Sequence, residues 1–94
     1  MLATVKVQRY LTDTLMRDLV GHDARPSAFL LYLYISTRPR RRVKASLADL
    51  ARCTGLSKRS IQLNIKWLQR RRLLDVSRTA RTAVPVYAAL CPWL

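Results

Sequence analysis

The sequence predicts a mainly α-helical protein of the α+β class that closes on a small β-hairpin. Three observations carry this. Apolar residues recur at helical spacing in the segments before Leu73. Ser, Thr, Pro and Gly stand where helices start and stop. After Leu73-Leu74 the spacing shortens to two, with Val76 and Arg78, then a polar stretch 79–82, then Val84-Pro-Val-Tyr-Ala-Ala-Leu90.

The elements follow in order. Val5 and Val7 alternate with Lys6 and Gln8, which predicts a short extended segment over 3–10. Thr12 is a candidate cap for a helix through Leu15 and Leu19, and Gly21 its candidate end. Pro26 suits the first position of a second helix reaching Thr37, apolar nearly all round and so expected to be central and buried. Pro39 stops it. Arg40, Arg41, Arg42 and Lys44 then form a loop or short strand. Ser46 caps a helix over 47–53, with Leu47, Leu50 and Ala51 inward and Asp49 near its positive end. Ser57 caps the next, 58–71, with Ile61, Ile65 and Leu68 as its inward stripe. Val84–Leu90 closes the hairpin, and Pro85 implies an edge strand.

With 94 residues the chain is read as one domain: a core over 26–90, a hairpin over about 74–90, and an extension with a short helix over 1–24. Half of the residues are hydrophobic, enough for a core and too many for a disordered basic tail. Charge is the dominant compositional signal. Lys and Arg number 18 against 5 acids, all Asp, giving a formal net charge of +13. Such an excess is best tolerated beside a polyanion, so DNA, RNA or an anionic membrane surface are the candidate partners. Cys53 and Cys91 are too few for a disulfide scaffold and, with His22 the only histidine, lack a zinc spacing. They are expected to be reduced, partly buried thiols of a cytoplasmic, nucleoid-associated protein with no cofactor and no metal. The longest apolar run, 28–35, is far below the roughly 18 residues of a membrane span. Charges at Lys6, Arg9, Asp13, Arg17 and Asp18 interrupt any apolar leader.

The informative segment is 46–74, which contains LADLARCTGLSKRSIQ and then WLQRRRLL. Ala51 is small where two helices would cross closely. Gly55 supplies a permissive turn four residues later, and Leu56 an apolar plug after it. Ser57, Lys58, Arg59 and Ser60 crowd donors into the first turn of the next helix, the end that would enter a major groove. Here the chain, over roughly residues 26–90, resembles the winged helix-turn-helix superfamily of bacterial transcription regulators, of GntR-like and MarR-like kind.

That resemblance implies that helix 58–71 enters the major groove and that the hairpin around 79–82 is a wing on the adjacent minor groove or backbone. Gln62 could then pair with adenine and Arg59 with guanine, while Lys66 meets phosphate. Arg40, Arg41, Arg42 and Lys44 fit backbone clamps better than sequence readers, and Arg78 and Arg81 fit phosphate or minor-groove contacts. Each has a plainer alternative, a solvated charged face. Asn64 could read a base or lie buried between helices. Phe29, Tyr32 and Tyr34 fit core better than a stacking platform. Three positions depart from the pattern. Arg72 stands where Gly is common, so either it accepts a strained turn or the helix ends differently, and Leu63 and Trp67 place an apolar pair on an outer face that needs a partner.

The function expected is binding of double-stranded DNA by a small, repressor-like regulator of bacterial, phage or plasmid kind, with a homodimer as a possible state. The alternatives are a winged-helix protein-interaction adaptor, a replication or partition accessory, or an RNA binder. No nucleotide loop, metal cluster or nucleophile–His set points to an enzyme.

Overall fold

Two serines start the helices at the centre of the fold. Ser46 Oγ accepts the Asp49 N–H at 3.1 Å, and the Asp49 carboxylate accepts the Ser46 N–H at 3.2 Å. This reciprocal box satisfies two otherwise unpaired donors and starts helix α2, Leu47–Thr54. Gly55 ends α2 with φ of 80°, a left-handed conformation that lacks steric cost only without a Cβ. Ser57 Oγ then accepts the Ser60 N–H at 3.1 Å and starts α3, Lys58–Arg70. Helix α1, Pro26–Ser36, opens on its proline as expected. The computed structural model describes residues 3–94.

Helices and sheet share one core. Ala28, Leu31, Tyr32 and Ile35 come from α1, Leu50 from α2, and Ile61, Ile65 and Leu68 from α3. The sheet side adds Leu73, Leu74, Tyr87 and Ala89. Leu11, Leu15 and Leu19 belong to the same cluster, so the core is wider than 26–90. A fully buried aliphatic side chain contributes about 1.5–3 kcal/mol. Three of them make the N-terminal helix part of the fold rather than an appendage. Helix α1 is less enclosed than its sequence suggests, since Leu30 remains 50% exposed.

The sheet has three antiparallel strands, β1 (Arg42–Lys44), β2 (Leu74–Ser77) and β3 (Val86–Ala89), in the order β1-β3-β2. The expected hairpin is β2–β3, and the segment after Pro39 supplies the third strand. Pro85 therefore precedes the central strand, correcting the edge-strand expectation. Sitting one residue outside β3, it has no ladder donor to supply, and its carbonyl accepts the Ala45 N–H at 3.2 Å.

The N-terminal segment departs furthest from expectation. Residues 3–8 form no strand, and helix begins at Arg9. It continues through wide turns at Leu11–Leu15 and Arg17–His22, closed by bonds five residues back, from Met16 N–H to Leu11 O and Asp23 N–H to Asp18 O. Thr12 is not its cap. The hydroxyl lies inside the helix and donates to Arg9 O at 3.3 Å, a local back-bond open to any helical Thr. Nor does Gly21 end the helix. It sits in the last turn with open space around it, and the chain leaves the helix at Asp23 and Ala24, where φ is 53°.

Candidate nucleic-acid interface

The interface is built outward from the anchor of α3. Ile61, Ile65 and Leu68 face the core, and between them Asn64 is also buried, at 2% exposure. Its Nδ2 donates to Ser27 Oγ at 2.8 Å and to Ser60 Oγ at 3.1 Å. Of the two roles left open for Asn64, the structure gives it the buried one: it pins α3 to the start of α1. Ser60, expected in the interface, is turned toward that anchor, and Ser57 is engaged as the cap.

With the inner stripe fixed, Lys58, Arg59, Gln62 and Lys66 are exposed on the outer side. Arg59, Gln62 and Lys66 line a cleft of about 340 Å³ between α3 and the β2–β3 hairpin. Arg78 joins them from the hairpin. Val76 pairs with Tyr87 on the helix-facing side of the sheet, and two residues on, Arg78 returns to that side. The floor is apolar, with Leu47, Val76 and Tyr87 in it. Leu63, 47% exposed, also lines the cleft, together with Gln69. No carboxylate lines this cleft. Burial pushes the Tyr87 hydroxyl above its ordinary pKa, opposed by the nearby Arg78 guanidinium.

The other expected site residues lie elsewhere. Arg81 is exposed at the hairpin tip, where its carbonyl accepts from the Arg78 guanidinium at 3.5 Å. Arg40 and Arg41 occupy the turn Pro39–Arg41 with φ of 57° and 55°. Arg41 donates to Cys91 Sγ at 2.7 Å. Arg42 and Lys44 lie on β1, the strand farthest from the hairpin's β2 edge. Of the two cysteines expected to be partly buried, Cys91 is half-buried and Cys53 is exposed.

Trp67, for which the sequence demanded a partner, finds it within its own chain. Arg25 lies 5.4 Å and Arg71 5.0 Å from the ring centre, and Arg71 pairs with Asp23 at 3.3 Å. Arg71 sits at i+4 from Trp67, a spacing readable from sequence. Arg25 and Asp23 arrive only through the fold. Arg72 takes the strained turn expected of a non-glycine there, with φ of 58°.

The aspartates neutralise little of the interface. Among the described residues, the Asp–Arg pairs are Arg9–Asp13, Arg52–Asp49 and Arg71–Asp23. The backbone N–H of Ser46 and then its hydroxyl and Arg52 hold the Asp49 carboxyl below the usual range. Among the described residues, no group of three metal-binding side chains forms and no helix is long and apolar enough to cross a membrane. No protein-family model, no curated protein and no solved structure matches the chain.

Proposed function

We propose that this chain is a winged helix-turn-helix protein that binds double-stranded DNA, with α3 in the major groove and the β2–β3 hairpin as its wing. One observation carries the reading: Arg59, Gln62, Lys66 and Gln69 of α3 and Arg78 from the hairpin line the same acid-free cleft. Arg59 and Gln62, near the start of α3, have the fork and amide geometries that pair with guanine and adenine edges. Lys66 and Arg78 supply phosphate contacts that hold the register. Lys58 and Arg81 extend the charged surface at either end. The biological role that fits best is a small regulator that occludes a promoter.

Selection from a random duplex library at physiological salt tests this. An enriched consensus is expected, and a palindromic one would mean that two copies bind together. With about six to ten phosphates neutralised, affinity falls roughly 10³–10⁵-fold between 50 and 200 mM salt. Arg59→Ala with Gln62→Ala should flatten the sequence preference while leaving most of the salt dependence. A salt-insensitive affinity, or a consensus unchanged by that double substitution, would sink the reading.

The apolar floor and the half-exposed Leu63 favour one alternative, an adaptor that docks a peptide in the cleft. In that case Arg59→Ala with Gln62→Ala leaves duplex binding intact while partner binding fails.

A further inference from the structure

The densest run of charge lies outside the cleft. Arg38, Arg40, Arg41, Arg42 and Lys44 place five cations in seven residues. None has a carboxylate partner among the described residues. Arg38 rests 4.5 Å from the centre of the Tyr34 ring and Arg41 on Cys91, so those two are held by their own chain. Arg40, Arg42 and Lys44 are exposed.

Strand register decides which way they point. Val43, Tyr87 and Val76 stand opposite one another across the three strands, packed on the core, and Tyr87 and Val76 form part of the cleft floor. Arg42 and Lys44 alternate with Val43, so they project from the reverse face beside Ala88 and Val86. That face lies on the opposite side of the sheet from the Val76 and Tyr87 floor of the cleft. At the corner leading into β1, Arg40 has a left-handed backbone that glycine would adopt at lower cost. The strained corner turns one more cation outward.

We propose that Arg40, Arg42 and Lys44 form a second, sequence-independent phosphate-binding surface, which takes another segment of double-stranded DNA while the cleft holds the first. The first duplex rests on the cleft reading above; the second surface rests on the sheet register and the unpaired charge. Cations on an edge strand and a turn, beside the apolar Ala88 and Val86 of β3, suit phosphate.

The test is duplex capture. Beads carrying one duplex are loaded with protein, washed, and offered a free labelled duplex of unrelated sequence at low salt. The unsubstituted chain should retain the free duplex. The triple variant Arg40→Gly, Arg42→Thr, Lys44→Thr should still bind the beads but retain at least about tenfold less, and its salt slope should fall by about 2.7 for three lost phosphate contacts. Glycine suits the left-handed corner and threonine the edge strand, and thermal unfolding checks the fold. Bridging by two copies of the chain would survive these substitutions, so equal retention by variant and parent overturns the proposal, as does no retention by the parent. Elution from heparin, which has no base sequence, separates the two readings. The triple variant should elute at lower salt whether or not the cleft reads bases, and unchanged elution counts against the second surface.

Discussion

Residues 57–66 and residues 40–44 carry comparable charge, three cations against four, and differ in what holds them. The first set rides on a helix whose opposite side is locked by Ile61, Asn64, Ile65 and Leu68. The second rides on a three-residue turn and a three-residue strand with no fully buried side chain. Charge supplies attraction in both places, but only an anchored element can hold a side chain within hydrogen-bond tolerance of a base edge. The difference between the regions is one of aim, and the substitutions below test it.

The largest expected effect is at the anchor. Leu68 is fully buried, and Leu68→Ala should destabilise by about 2–5 kcal/mol through lost burial and the cavity left behind. Arg42→Ala, on an exposed edge, should stay within about 0.5 kcal/mol. Urea unfolding measures both. Similar losses at the two positions would remove the contrast.

Asn64→Ala comes next. It leaves the Ser27 and Ser60 hydroxyls without their buried partner, a cost of about 1–3 kcal/mol. An α3 free to roll should also discriminate less among duplex sequences, while affinity for random duplex stays near that of the parent. Stability lost with the consensus fully kept would show that Asn64 only packs.

Ser57 distinguishes a cap from a contact. Ser57→Ala should cost about 1 kcal/mol, because the Ser60 N–H loses its acceptor. Ser57→Asp caps equally well, so it should restore stability, yet its charge should weaken duplex binding if α3 enters a groove. Duplex affinity equal to the parent's in Ser57→Asp would place the start of α3 away from phosphate.

The legibility of these regions follows from where their determinants lie. The unit α2–turn–α3 was readable because its signals are local: Ser46 and Asp49 three apart, Gly55 in the turn, and apolar residues at i, i+4 and i+7. The same local logic gave the helix-facing leucines of the N-terminal segment but misplaced its ends. There Thr12 had an internal bond available, and packing of Leu11, Leu15 and Leu19 carried helix past Gly21. Long-range pairing was out of reach. Nothing near Arg42–Lys44 announces that β3, more than forty residues on, will pair with it and become the central strand. The cleft was half legible for the same reason. Arg59, Gln62 and Lys66 share a helix face that spacing reveals, whereas Tyr87 and Leu47 enter it only through the tertiary fold. Tyr10 stacking on Trp93 at 4.3 Å, with Trp93 Nε1 donating to Gln8 at 2.8 Å, joins the two ends of the chain in a contact no periodicity encodes.

The smallest effect bears on the unanchored region and has the opposite sign. Arg40 has φ of 57°, where a Cβ crowds the backbone at a cost of about 1–2 kcal/mol. Arg40→Gly relieves that strain but gives the unfolded chain more freedom, which takes back about 0.5–1 kcal/mol. The net change should be neutral to slightly stabilising, up to about 1 kcal/mol, while Arg42→Gly, inside β1 with extended backbone, should lose about 0.5–1 kcal/mol. Both remove one cation, so duplex affinity should fall by similar factors while the stabilities diverge. Salt-dependent binding of the two variants shows whether the Arg40 side chain contacts phosphate from that strained corner.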